Sequence, residues 1–207
     1  KVLQIVILAI ILILISLNIS QLRLLLLLIP VPFALIGTLS NLTNSIASLI
    51  IIFLALAYMI KPIQAMDIFI NSIVPGLIIG IIAKKVIREK DSNKYEPIFM
   101  GSIVFIIAII AYYFMYKYAF KIDILNEFLQ ILDKGLESQK DVLKSAGNEL
   151  LKSDTFRKII PSVLFFRSMI LSIIIYLIEI FLLRRMKYDD LSEIKFKNFY
   201  LPGNAIV

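Results

Sequence analysis

Three ionisable side chains stand in or at the edge of long apolar runs: Asp67, Arg167 and Glu179. A charge inside a membrane span costs roughly 2.5–3.5 kcal/mol on insertion scales, so each calls for a partner or a role. Arg167 falls early in the apolar run 159–183, about 12 Å deep at 1.5 Å per residue. Its long stem can carry the guanidinium outward to the interface. Alternatively it faces a bundle interior, where it binds an anionic group or pairs with Asp67. Glu179 lies twelve residues further on, about 18 Å along a helix, too far to meet Arg167. It is expected to pair with Arg184 or Arg185 near the interface.

These residues assemble neither a pair of carboxylates for acid–base work nor an activated nucleophile. Cysteine and histidine are both absent, which excludes disulfides, thiolate nucleophiles, Cys/His zinc sites and imidazole catalysis. There is no glycine-rich phosphate loop. The expectation is a protein that is not an enzyme, with no metal and no cofactor.

The elements that hold those charges are apolar. Hydrophobic residues make up 60% of the chain, against roughly 45–50% in an ordinary soluble domain. Mean hydropathy is +0.92. Apolar runs at 2–17, 22–39, 46–60, 66–83, 98–116 and 159–183 are near the ~20 residues that cross a hydrocarbon core. This predicts an all-α, polytopic transmembrane bundle of about six apolar segments, forming a single integral membrane domain over 1–207. Lys1 is not an initiator methionine, and Leu201-Pro202-Gly203 reads as entry into a further segment. The sequence is therefore expected to be an excerpt of a longer chain.

Two of the runs are interrupted. Pro30 and Pro32 stand in the middle of 22–39, and Pro75-Gly76 in the middle of 66–83 with Gly80 one turn later. Proline lacks the N–H and crowds the preceding turn, so a regular helix should kink or break there. Carbonyls freed at membrane depth need protein or water around them. A pair of such broken segments is a pointer to a binding cavity; a kinked packing helix is the plainer alternative. Gly76 and Gly80 also form a small-xxx-small face that admits another backbone. The small polar stretch 37–45, which contains Asn41, is either a turn or a hydrated cavity wall. The candidate ligand-binding set is Pro30, Pro32, Asn41, Asp67, Pro75, Gly76, Gly80 and Arg167.

The net charge of +7 would suggest nucleic acid in a soluble protein. Here much of the excess is juxtamembrane Lys and Arg, so no nucleic-acid partner is expected and the lipid bilayer is. Lys84, Lys85, Arg88, Lys90 and Lys94 fall in a hydrophilic loop at 84–96, which the orientation rule places in the cytoplasm. The N-terminus is then cytoplasmic. Tyr112, Tyr113, Tyr116 and Tyr118 read as an interfacial aromatic belt. Segment 121–158 is water-facing, with Leu125, Phe128, Leu132, Leu143 and Leu150 among its apolar positions at helical steps, interrupted near Gly135 and Gly147. Its nearly balanced charge suits an extracytoplasmic amphipathic insertion, a cap or a hairpin.

With Ile29-Pro30-Val31-Pro32-Phe33, the 75–80 segment, the basic loop and Phe196-Lys197-Asn198-Phe199-Tyr200-Leu201-Pro202 in place, the chain resembles the YybS-like family. These are bacterial multi-pass membrane proteins of unknown function, which implies the bacterial cytoplasmic membrane. The family is similar to the S components of energy-coupling-factor vitamin transporters, six-helix bundles that bind a small molecule. It is more distantly similar to the rod-shape protein MreD. S components dock their coupling subunit through a small-residue AxxxA-type face, and Val2 to Leu17 carries no such face. Two functions follow as expectations. One is a small-molecule-binding S-component-like subunit with other membrane subunits as partners; the other is a non-transporting scaffold in envelope or division machinery.

The orientation is open to a direct test, because the native chain has no cysteine. Single cysteines placed at Lys90 and Lys140 are expected to differ towards an impermeant thiol reagent in intact cells. Lys140→Cys should label and Lys90→Cys should not, and the reverse pattern inverts the assignment.

Overall fold

A computed structural model describes residues 2–88, 93–138 and 153–188. The helices are α1 (Val2–Asn18), α2 (Pro30–Leu39), α3 (Leu42–Met59), α4 (Pro62–Ile68), α5 (Val74–Arg88), α6 (Glu96–Ala119), α7 (Ile124–Ser138) and α8 (Ser153–Arg185). A 3-10 stretch, Ser20–Leu28, leads into α2, and a π turn, Phe69–Ile73, joins α4 to α5. There are no strands among the described residues. Among the described residues four helical stretches are long and apolar enough to cross a membrane, and Val2–Asn18 and Leu25–Leu39 are shorter apolar helices. Together they account for the six apolar segments. The fold is a helical bundle of membrane type, as the composition predicts.

Pro30 and Pro32 act at a helix start. Pro30 opens α2, where a missing N–H would have had no partner within the helix. Pro32 falls in the same first turn. Ile29 N–H still reaches Leu26 O at 3.3 Å, which ends the 3-10 stretch. Pro75 is accommodated differently: the preceding turn widens, and Val74 N–H donates to Phe69 O five residues back. Such a widened turn absorbs a local break without ending the helix. At the end of α1, Ser16 Oγ donates to Leu12 O at 2.7 Å and Asn18 Nδ2 to Leu14 O at 2.8 Å. Side chains there occupy carbonyls near the helix end.

α2 is the central element. Every residue from Pro30 to Thr38 is buried. One core lies on the side of α1, α3 and α4, where Phe33 and Ile36 pack with Val6, Ala9, Ile52 and Leu56. A second lies towards α6 and α8, where Val31 and Ala34 pack with Ile79, Phe105, Leu171 and Ile175. Between the two cores α2 lies directly on α5. A Cβ on Gly76 would overlap the Pro30 backbone, and one on Gly80 would overlap the Ala34 carbonyl. In the other direction, a Cβ on Gly37 would come within 2.9 Å of Ile81 N. The three glycines thus let two helix backbones touch.

Two boundaries differ from the sequence reading. α5 runs on to Arg88, so Lys84, Lys85 and Arg88 are helical, because the basic residues complement the helix C-terminus. α7 passes through Gly135 without a break. Gly147, Lys90 and the 196–202 motif lie outside the described residues. α7 packs at the far end of α8, where Arg157 Nη2 donates to Asn126 Oδ1 at 3.2 Å. Its start is marked by Asp123 Oδ1, which accepts the Asn126 N–H at 3.1 Å. That bond, with Lys117 beside it, holds the Asp123 carboxyl below the usual carboxylate range.

Gly80→Ala drives a methyl into fixed backbone and is expected to cost about 1–3 kcal/mol. Gly135→Ala meets nothing within 4 Å and should instead add up to about 1 kcal/mol of helix stability. Thermal unfolding of both variants in detergent measures the contrast, a lowered Tm for the first and an unchanged or raised Tm for the second.

Candidate functional site

Where α2, α5 and α8 meet, the close backbone approach places polar atoms in an apolar interior. Thr38 Oγ1 lies 2.9 Å from Gly80 O and 3.2 Å from Ala34 O. Its third neighbour is Glu179 Oε1, which it meets in a hydrogen bond between fully buried residues. Glu179 Oε2 has no hydrogen-bond partner. The missing Cβ at Gly80 is what allows α2 near enough for the Thr38 hydroxyl to reach a carbonyl of α5. Two residues on, Ser40 Oγ donates to Ile36 O at 2.6 Å and lies 2.6 Å from Ser45 Oγ. Lys84 Nζ donates to Ser40 O, setting a cation at the C-terminal end of α2.

Glu179 is the last of four polar residues on one face of α8. Ser168, Ser172, Tyr176 and Glu179 follow each other at steps of four, four and three, and all are fully buried. Ser172 Oγ lies 2.9 Å from Ile98 O and 3.3 Å from Pro97 O, across the interface with α6. Ser168 Oγ and Tyr176 Oη have no partner. A buried polar group left unpaired costs about 1–3 kcal/mol. Three such atoms on one helix face, one of them a carboxyl oxygen, are a concentration that packing alone does not call for.

The residues singled out from sequence divide into two groups. Pro30, Pro75, Gly76 and Gly80 come together in the α2–α5 contact, all buried, with backbone on backbone between them. Pro32 is buried beside them and lines an apolar groove of about 410 Å³ with Gln4, Leu8, Leu35, Ile178 and Met186. Asn41, Asp67 and Arg167 lie elsewhere. Asn41 is exposed just before α3, and its side chain makes no capping bond. Asp67 is half-buried and accepts from Asn71 Nδ2 at 2.7 Å. Arg167 is exposed beside exposed Phe165 and Phe166, and forms no ion pair with Asp67 among the described residues.

Glu179 corrects the expected pairing with Arg184 or Arg185. Both arginines are exposed while the carboxyl is buried. Helical side chains lean towards the N-terminus, so the glutamate reaches back to Thr38 and away from residues that follow it. Thr38 and Tyr176 were not legible as site residues by type. The step pattern of Ser168, Ser172, Tyr176 and Glu179 within an otherwise apolar span is the signal that finds Tyr176; nothing in the sequence singles out Thr38. A second hollow, about 530 Å³, lies where the end of α1 meets the end of α3, lined by Asn18, Tyr58, Lys61 and Gln64. No cluster of metal-ligating side chains occurs among the described residues.

A family profile described as "Predicted membrane protein (DUF2232)" matches residues 6–207. No match was found among curated proteins or among solved structures.

The buried bond and the exposed cation should respond differently to substitution. Thr38→Val removes the hydroxyl between Gly80 O and Glu179 and is expected to lower stability by about 1–3 kcal/mol. Arg167→Ala should stay within about 0.5 kcal/mol of the parent, as surface changes do. Detergent denaturation curves of the two variants give the comparison.

Proposed function

The chain belongs to the DUF2232 family of predicted membrane proteins, and from that premise we infer that it works as a non-catalytic multi-pass scaffold that holds other membrane proteins, of the MreD-like kind. The observation that carries this reading is the closed centre. Pro30 to Thr38 are buried throughout and meet α5 backbone to backbone, so no chamber opens between the two proline segments. The periphery is the opposite. α3 buries the smallest share of the four long apolar stretches and exposes Ile50, Ile51, Leu54 and Tyr58. A tight core with wide apolar flanks suits a body that lipid and partner helices surround. On this reading the basic end near Lys84, Lys85 and Arg88 faces the cytoplasm of a bacterial cell, with the N-terminus on the same side.

The second reading is a small-molecule-binding, S-component-like subunit. The hollow at Asn18, Tyr58, Lys61 and Gln64 favours it, being of a size usual for small ligands and holding a cation for an anionic group.

Purification from the protein's own membranes, followed by mass spectrometry of what is retained, separates the two. The scaffold reading expects wall-synthesis or cytoskeletal proteins in fixed ratio and no retained metabolite. A bound metabolite together with ATPase subunits overturns it in favour of the second reading.

A further inference from the structure

Glu179 is fully buried and touches Thr38, and among the described residues no ammonium or guanidinium is recorded against it. The elements packed around it offer few charges. α2 has no titratable residue. On α5, Lys84 donates to Ser40 O, Lys85 lies 3.9 Å from Glu96 of α6, and Arg88 is exposed. On α8 itself the nearest titratable group is Tyr176, one turn back, and at the start of α6 Tyr95 packs against the cluster that holds Tyr176 and Ile180.

Counting protons narrows what the carboxyl is. The Thr38 hydroxyl has one proton and three oxygens around it: Ala34 O, Gly80 O and Glu179 Oε1. If the carboxyl is ionised, that proton goes to it, the bond to Gly80 O is lost, and Oε2 is left as a bare anion with no donor. If the carboxyl is neutral, it donates to Thr38 while Thr38 donates to Gly80 O, and both contacts are made at once. Those two contacts coexist only with one proton more than the threonine supplies.

Further along the same helix face lie the other orphaned atoms, Tyr176 Oη and Ser168 Oγ, with Ser172 between them. They are spaced a turn or two apart, so together they make a row of hydrogen-bonding positions leading away from the carboxyl.

We propose that Glu179 is a membrane-embedded proton-binding site, loaded and unloaded along the polar face of α8, with Thr38 and the Gly80 carbonyl as its fixed partners. In loading, a hydronium ion gives its proton to the Glu179 carboxylate and leaves as water. The new acid then donates to Thr38 Oγ1, and the threonine turns its own proton onto Gly80 O. Unloading reverses each step. The site is independent of which partner or ligand the protein serves.

The test is infrared spectroscopy of the full chain in lipid nanodiscs. The expected spectrum contains a carboxylic-acid C=O band that shifts to lower frequency in D2O and is lost in Glu179→Gln. If Glu179→Gln fails to fold, Thr38→Val takes its place: loss of the hydroxyl bonded to Glu179 should move the band to higher frequency, and an unmoved band overturns the assignment. Adding sodium chloride should leave the band in place. Absence of the band overturns the proposal, since the carboxyl would then hold no proton. A band unmoved after prolonged D2O makes Glu179 a sealed structural group and overturns it too. Loss of the band on adding sodium assigns the oxygens to a metal cation instead.

Discussion

The contact between α2 and α5 works without side chains. In lipid there is little hydrophobic gain from bringing two apolar helices together, so association rests on close van der Waals approach and on hydrogen bonds. Gly37, Gly76 and Gly80 supply the approach by removing every Cβ that would stand between the two backbones. What the approach makes available is the carbonyl of Gly80, and Thr38 reaches it only because the helices lie so near. Both hydrophobic cores then form on either flank of α2, with residues of α5 in each. The burial of Pro30 to Thr38 follows from that placement.

The same geometry decides what broken helices mean here. Backbone groups freed by proline need a partner at membrane depth, and a water-filled cavity is only one way to provide it. At Pro30 the break falls at a helix start, where a missing N–H costs nothing extra. At Pro75 the hydrogen-bond register shifts by one and the helix goes on. Neither device requires water, so the two segments pack closed. Among the described residues the buried polar atoms left without a partner sit instead on α8, at Ser168, Tyr176 and Glu179.

The bundle, its six apolar segments and the small-residue face at Gly76 and Gly80 were legible in the sequence, because each rests on local chemistry. A run of Ile, Leu and Val can only be buried or in lipid, and glycine at four-residue spacing marks a face open to another backbone. Whether that face closes on a neighbour or lines a cavity depends on an interhelical distance that composition does not encode. Glu179 shows a different limit. The nearest cations after it in sequence are Arg184 and Arg185, but its bond is to a threonine 141 positions away, consistent with the direction in which helical side chains lean. For Arg167 the sequence left open an outward stem or an interior site, and the residue is exposed, with its stem free to follow the surface.

The 3-10 stretch before α2 has a bearing on how the protein fits its bilayer. Nine residues at about 2.0 Å of rise and ten at about 1.5 Å give the pair Ser20–Leu28 and Pro30–Leu39 a combined reach of about 33 Å. The same nineteen residues wound entirely as α-helix would reach about 28 Å, slightly short of a hydrocarbon core of about 30 Å. The tighter coil therefore lengthens the segment by about 5 Å and relieves hydrophobic mismatch without a single added residue. The extra rise comes from backbone geometry alone, so nineteen residues gain the reach that about twenty-two would need as α-helix.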